Sequence, residues 1–291
     1  MKYKTITFYK FFNVKNPEQL VGYFRGLCEA LELKGRILIA EEGINAGVSG
    51  KTKNIEIFKK KIQTQKRLND LTFREHAVRE NSYHKLVVRV KNEIVAFGEK
   101  VNLRKMANYI SPEKLEKWFD RGEDFIIIDA RNDYESKVGK FKNALTLPIE
   151  NFRDFPKAVE KFENLKDKKI VTYCTGGIRC EKASAYMKSK GFKNVLQLEG
   201  GIINYVDKFP GKHFEGACFV FDDRLTADTG SKEKLGKCEI CETPCSDYTD
   251  CYNLDCDKLF ICCENCREKM NNTCSEECKN AKRLRPQEVI L

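Results

Sequence analysis

Hydrophobic and polar residues alternate over much of the first third of the chain, and this pattern predicts a mixed α/β domain. Alternation over residues 3–9 predicts a strand, and further strands are expected at RILIAE (36–41) and near 71–76 and 84–91. Apolar residues recur at helical spacing in two segments, at Leu20, Phe24, Leu27 and Leu31, and at Ile55, Phe58 and Ile62. The order of these elements is typical of a ferredoxin-like α+β sandwich made from split βαβ units.

The segment GINAGVSG (43–50) carries three glycines within this domain. Glycine at this density is typical of hairpin turns, so the segment predicts the turn into the third strand. A second interpretation is that its backbone N–H groups face an RNA phosphate or a pocket of the domain that follows in the chain. Ile44 and Val48 are compatible with a strand in both cases.

A second domain is expected from about residue 105, where strands and helices begin to alternate. Ser111 is the expected N-cap of a helix whose first residue is Pro112. The strands predicted beyond it are FIIIDA (125–130), KIVTYC (169–174) and NVLQLEGG (194–201), and the helices lie near 154–164, over CEKASAYMKSKG (180–191) and over GIINYVDKF (201–209). Such alternation predicts a parallel sheet, in which ligands bind at the carboxyl ends of the strands.

Cys174 stands at such a strand end and is the main candidate for chemistry. The residues that follow it are Thr175, Gly176, Gly177, Ile178 and Arg179. Loop N–H groups, the start of a helix and a guanidinium all favour a thiolate, so Cys174 is a candidate nucleophile, although a buried packing cysteine is the alternative. The loop between Cys174 and Arg179 is one residue shorter than phosphatase loops, which favours a sulfur or oxygen atom over a phosphoryl group.

The charge is concentrated in the N-terminal third. The chain has a net charge of +10, and residues 1–104 hold 21 Lys and Arg against 11 Asp and Glu. This excess is either an ordinary solvated surface or a binding surface for nucleic acid. No apolar run approaches the length of a membrane span, and the first residues lack a secretory hydrophobic region, so the expected location is the cytoplasm.

Ten of the 14 cysteines lie between Cys238 and Cys278. Their close pairs suit thiolate coordination of two structural zinc ions, and metal would then supply folding energy to a segment without an evident apolar core. Disulfides and an iron–sulfur cluster are the alternatives. The paired candidates are Cys238 with Cys241, Cys251 with Cys256, Cys263 with Cys266, and Cys274 with Cys278, while Cys245 and Cys262 are unassigned.

The loop CTGGIR (174–179) resembles the active loop of rhodanese domains, and IIIDARNDYESKVGKFKNA (126–144) and LEGGI (198–202) resemble the segments that flank it. Together with GINAGVSG, CFVFDDR (218–224) and the cysteine-rich tail, the whole chain resembles the bacterial oxygen-dependent tRNA uridine hydroxylases. The implied domains are a basic ferredoxin-like domain over 1–104 for tRNA binding, a rhodanese catalytic domain over 105–215, and a zinc-binding C-terminal segment over 216–291.

This resemblance implies an oxidoreductase that uses dioxygen to convert the wobble uridine of the tRNA anticodon stem-loop to 5-hydroxyuridine. Cys174, as thiolate or persulfide, would add to uracil C6 within the cradle of loop N–H groups and Arg179. Asp129, Arg131 or Glu181 would transfer protons, and Cys180 is either a resolving thiol or a packing residue. The electron donor is not identified, since the sequence contains no flavin or nicotinamide motif.

Two other functions compete with this one. A sulfurtransferase would pass sulfane sulfur through a Cys174 persulfide to a small acceptor. A non-enzymatic zinc-dependent RNA-binding protein with an inactive rhodanese fold is a third possibility, and the intact cysteine, glycines and arginine of the loop argue against it.

Overall fold

The structure is a computed structural model, and it describes residues 2–286. The chain forms two compact units. Among the described residues, the first comprises 2–100 with Phe221–Arg224, and the second comprises Val101–Val220 with 225–286.

The first unit contains a five-stranded sheet and two helices. Its elements are β1 (Tyr3–Phe11), α1 (Pro17–Ala30), β2 (Lys34–Ala40), β3 (Gly43–Lys51), α2 (Thr52–Gln63), β4 (Arg74–Val78) and β5 (Leu86–Val90). The strand order is β4-β1-β3-β2-β5, antiparallel except for the β2–β5 pair. Apolar residues of both helices, among them Phe24 and Phe58, are buried with the inward residues of the sheet in one core. The predicted ferredoxin-like arrangement is therefore present.

GINAGVSG is strand β3 and not a turn, so that expectation was wrong. The hairpin turn falls earlier, and β3 pairs along its length with β1 on one side and β2 on the other. Because its N–H groups belong to these two ladders, the interpretation as a phosphate-binding backbone surface is also wrong. Gly47 serves packing instead, since a Cβ there would lie 2.0 Å from the Tyr83 hydroxyl.

The second unit begins with the rhodanese-like region. Its elements are β6 (Asn108–Ile110), α3 (Pro112–Asp120), β7 (Ile126–Asp129), α4 (Asp133–Val138), β8 (Gly139–Phe141), α5 (Phe155–Val159), β9 (Lys169–Tyr173), α6 (Ile178–Ser189), β10 (Asn194–Leu198), α7 (Gly201–Lys208) and β11 (Phe214–Gly216). Single turns of 3-10 helix lie at Leu103–Lys105 and Phe152–Asp154, and a longer one at Glu160–Leu165.

A parallel sheet of order β6-β10-β9-β7 organises this region, as the alternation of elements predicts. Ser111 caps α3 by accepting from the Lys114 N–H, and Pro112 begins the helix as expected. The helix expected near 154–164 is broken, because Phe162 has non-helical backbone angles and only Phe155–Val159 is α-helical. The sequence patterns did not indicate β6 or α4.

The remaining chain forms the cysteine-rich module, residues 237–286, preceded by the short β12 (Cys218–Phe219) and β13 (Thr226–Ala227) hairpin. The module contains β14 (Tyr248–Asp250), β15 (Leu259–Ile261), α8 (Glu264–Lys269) and α9 (Glu276–Lys279). Contrary to expectation it has a small apolar cluster, in which Phe260 and Ile261 are buried with Val138 and Phe219. Across residues 2–286, no helix is both long and apolar enough to cross a membrane.

Candidate functional site

Cys174 lies directly after β9, and its loop leads into α6. Its side chain is fully buried, and the Gly177 N–H donates a hydrogen bond to its Sγ at 3.1 Å. Gly177 has φ +102°, a conformation that glycine adopts without strain and that turns this N–H towards the sulfur. The end of β9 thus positions the Cys174 sulfur, and the turn at Gly177 orients a backbone N–H towards it.

The surroundings of Cys174 favour its thiolate. Burial acts to raise the pKa of this thiol, but a hydrogen bond from Cys180, the charge of Arg179 and the N–H groups of Arg179 and Gly177 outweigh burial and lower the pKa to about 6. Burial and the neighbouring Cys174 sulfur raise the pKa of Cys180 well above its ordinary value. Cys180 is therefore the protonated partner that donates to the Cys174 thiolate.

Arg179 is held by Glu135, a residue that the sequence reasoning did not place in the site. Both terminal guanidinium nitrogens donate to the buried Glu135 carboxylate, Nη1 at 2.5 Å and Nη2 at 2.7 Å, and Nη2 also contacts the Thr175 hydroxyl at 3.2 Å. Glu135 is the third residue of α4 and completes a capping box with Asn132. The spacing N-x-x-E in RNDYE is typical of a helix start, so the sequence could have placed Glu135 in the first turn of a helix.

The loop is also held by the start of α7. The Ile202 and Ile203 N–H groups donate to the carbonyls of Cys174 and Thr175 at 2.9 and 3.2 Å. Gly201 has φ +66°, and a Cβ there would lie 2.3 Å from the Cys174 carbonyl oxygen. Only glycine permits this approach, which accounts for the LEGGI segment.

Asp129 and Arg131 form a buried ion pair, which also makes hydrogen bonds to Gly139 and Tyr173. Arg131 donates to Asp129 from Nε at 2.9 Å and from Nη2 at 2.7 Å, and also to the Gly139 carbonyl at 2.7 Å. The Tyr173 hydroxyl donates to Asp129 at 2.7 Å. These contacts tie β7 to β9 beneath the loop, and none of them involves the Cys174 sulfur.

Glu181 lies in the first turn of α6, two residues after Arg179. It is 9% exposed and accepts a hydrogen bond at 3.0 Å from the hydroxyl of Tyr109, whose side chain is exposed. Gly176 faces open space, since a Cβ there would meet nothing within 4 Å. Ile178, the remaining predicted loop residue, begins α6. The predicted loop residues and Glu181 therefore share one end of the parallel sheet.

The structure brings the eight paired cysteines together in two groups of four, each with its sulfurs within 4.8 Å of one another. The first group is Cys238, Cys241, Cys263 and Cys266, and the second is Cys251, Cys256, Cys274 and Cys278. Sulfur separations of 3.6 Å for Cys241–Cys263 and 3.7 Å for Cys256–Cys274 fit a tetrahedral ion with arms of about 2.3 Å, whose edges are about 3.8 Å. Each group can therefore hold a metal ion.

The two unassigned cysteines lie outside these groups. The Cys245 sulfur accepts from the Asp247 N–H at 3.4 Å, and the Cys262 sulfur contacts the Cys263 carbonyl at 3.6 Å. The groups interleave along the chain, since one uses the first and third pairs and the other the second and fourth.

Models of three protein families agree with this architecture. Family models match residues 3–94 ("UPF0176 acylphosphatase like domain"), 111–208 ("Rhodanese-like domain") and 215–279 ("Rhodanase C-terminal"). The solution structure of a rhodanese-like domain from Anabaena is 28% identical, with TM-score 0.32, over 38% of this chain and 80% of its own.

Two curated relatives, both named tRNA uridine(34) hydroxylase, match most of the chain. The relative from Cytophaga hutchinsonii is 38% identical over 98% of this chain and 92% of its own length. The relative from Wolbachia pipientis is 43% identical over 84% of this chain and 89% of its own length. The chain therefore belongs to the tRNA uridine(34) hydroxylase family.

Proposed function

We propose that this protein hydroxylates uridine 34 of tRNA at C5, with dioxygen as co-substrate and Cys174 as nucleophile. The observation that carries the proposal is the activated, buried Cys174 in a chain whose curated relatives are named tRNA uridine(34) hydroxylase. Addition of a sulfur to uracil needs a sulfur that is anionic at neutral pH. With a pKa of about 6, most of Cys174 is thiolate at that pH.

The chemistry begins with addition of the Cys174 sulfur to uracil C6, which makes C5 electron-rich. The loop N–H groups and Arg179 stabilise the developing negative charge. C5 then takes one oxygen atom from dioxygen, and the other leaves as water, with two electrons from an external donor and protons from solvent. Loss of the C5 proton and of sulfur from C6 restores the ring as 5-hydroxyuridine.

Burial of Cys174 limits how the base reaches the sulfur. The thiol itself is fully buried, so attack requires either opening of the loop or a persulfide, whose outer sulfur lies about 2 Å further out. Both forms of the nucleophile are compatible with the reaction.

We assign proton transfer to Glu181. Its position in the first turn of α6 places a carboxylate beside the loop, with Tyr109 as its hydrogen-bond partner. Asp129 and Arg131 have the weaker claim. Both Asp129 carboxylate oxygens already accept from Arg131 or Tyr173, and Arg131 Nη2 donates to Asp129 and Gly139. Arg131 Nη1 is buried and has no hydrogen-bond partner among the described residues. Asp129 and Arg131 support the strand ends that carry the loop.

The division of labour follows the three segments of the chain. Residues 1–104, with their excess of basic side chains, bind the phosphates of the anticodon stem-loop, and exposed residues such as Lys60, Lys61 and Arg89 suit that role. Residues 105–215 carry the catalytic loop, and residues 216–291 the metal-binding part. A uridine in a single-stranded anticodon loop enters a pocket at a modest unstacking cost. This reaction belongs in the cytoplasm, where tRNA is.

We assign one structural zinc ion to each group of four cysteines, about two in all. Thiolate sets of this kind are typical of structural zinc, which would add folding free energy to the small apolar cluster of the module. Metal analysis of anaerobically purified protein should find zinc near two ions per chain. Iron or no metal would contradict the assignment.

The test of the function uses nucleosides from tRNA. Cells that lack the protein should lose 5-hydroxyuridine, wild-type chain should restore it, and Cys174→Ala should not. Cys28→Ala is the matched control, because Cys28 is a buried cysteine in the first unit. Full restoration by Cys174→Ala, or unchanged tRNA together with strong thiosulfate sulfurtransferase activity, would overturn the proposal.

A further inference from the structure

Glu135 holds Arg179 in the loop, yet the helix that carries Glu135 is short. Helix α4 has six residues, fewer than an isolated helix needs for stability in water. Its position therefore depends on its capping box and on whatever packs against it.

The cysteine-rich module packs against α4. The Tyr248 hydroxyl donates to the Tyr134 carbonyl at 2.7 Å, one residue before Glu135. Phe219 lies between their rings, edge-on to Tyr134 at 5.2 Å and to Tyr248 at 5.5 Å between centroids. At the other end of α4, Val138 is fully buried in the apolar cluster of the module.

Tyr248 lies in a β-hairpin, and each strand of this hairpin is followed by a cysteine of one of the two groups. Tyr248 begins β14, which pairs with β15. Cys251 of the second group follows β14 directly, and Cys263 of the first group lies two residues after β15. An ion in each group would therefore hold the β14–β15 hairpin, and with it Tyr248, from both sides.

We propose that the cysteine-rich module is a positioning element for the catalytic loop, with Tyr248 holding α4 so that Glu135 stays on Arg179. This proposal rests on the proposed role of the loop and adds a second role for the module beyond metal binding. Tyr248 and Tyr134 are positioning residues, because each acts through Glu135 and their hydrogen bonds and ring contacts within residues 2–286 do not reach Cys174.

The test compares Tyr248→Phe with Tyr252→Phe in the full chain. Tyr248→Phe removes the hydrogen bond to α4 and keeps the ring, whereas no hydrogen bond of the Tyr252 hydroxyl is found among residues 2–286. Amide hydrogen exchange is followed in peptides covering 131–139 and 174–180, and alkylation of Cys174 is measured against pH.

Tyr248→Phe should raise exchange in both peptides by about two- to tenfold, the effect expected for one hydrogen bond, with metal content unchanged. The apparent pKa of Cys174 should also rise, because a loosened loop directs its N–H groups less well. Tyr252→Phe should match wild type. Chelation of the metal should produce the same two changes more strongly.

An increase in exchange confined to residues 237–286 in Tyr248→Phe would overturn the proposal, as would an unchanged Cys174 pKa. Neither readout uses tRNA or dioxygen. A negative result therefore leaves the hydroxylation proposal standing, and that proposal fails only on the nucleoside measurement with Cys174→Ala.

Discussion

Removing the Cys180 thiol should raise the pKa of Cys174. Cys180 is buried in the first turn of α6, and its hydrogen bond makes the largest favourable contribution to the thiolate, ahead of the charge of Arg179. Cys180→Ala deletes this donor and removes one sulfur atom from the core. Cys180→Ser keeps a donor at the same position but cannot form a disulfide. Together the two variants distinguish three roles of Cys180: a hydrogen-bond donor, a resolving thiol and a packing residue.

The expected size of the effect follows from the strength of one hydrogen bond to a charged group, about 1.5–3 kcal/mol. One pH unit corresponds to about 1.4 kcal/mol, so Cys180→Ala should raise the pKa from about 6 to roughly 7–8. The thiolate fraction at pH 7 would then fall from about nine tenths to between about a tenth and a half. Cys180→Ser should stay near the wild-type value.

The assay is the rate of iodoacetamide alkylation of Cys174 against pH, read peptide by peptide by mass spectrometry. Only the thiolate reacts, so the rate should rise with pH through the pKa and then become constant. With the Cys174 thiolate as nucleophile, hydroxylation should show the same dependence and be lost below about pH 6. A Cys180→Ala profile that overlays wild type would refute the reasoning, and loss of activity in Cys180→Ser at a normal Cys174 pKa would instead indicate a resolving thiol.

Two further substitutions test the supports of the loop. Glu135→Gln leaves the buried Arg179 without its carboxylate and should lower the free energy of unfolding by about 3–5 kcal/mol in urea titrations; a loss within about 0.5 kcal/mol would contradict a buried ion pair. Gly201→Ala places a Cβ against the Cys174 carbonyl at a residue with positive φ, so it should lower the free energy of unfolding by about 1–3 kcal/mol and lower Tm. Gly176→Ala is the control, because a Cβ there meets open space and should leave Tm near the wild-type value. Equal Tm values for the two glycine variants would refute the close approach of α7.

The parts of the site that the sequence predicted are local in the chain. Strands β7, β9 and β10 are short apolar runs, so their ends, and with them Cys174, could be placed from pattern alone. The same holds for Ser111 and Pro112 at the start of α3. The cysteine pairs were found because a tight turn brings two sulfurs together within a few residues.

What the sequence missed depends on contacts between distant segments. Glu135 lies 44 residues before Arg179, and no local sequence pattern predicts their ion pair. Three glycines are typical of turns and therefore predicted a turn at β3, whereas the contact of Gly47 with the Tyr83 hydroxyl is visible only in the fold. The interleaving of the cysteine groups likewise requires the folded β14–β15 hairpin.

The most direct test of the central claim is nucleoside mass spectrometry of tRNA from reactions run under isotopically heavy dioxygen. The purified protein, a reductant and tRNA lacking the modification are the components. The account predicts 5-hydroxyuridine at position 34 that carries one heavy oxygen atom and disappears with Cys174→Ala. Product whose hydroxyl oxygen comes from water, or product formed equally by Cys174→Ala, would contradict it.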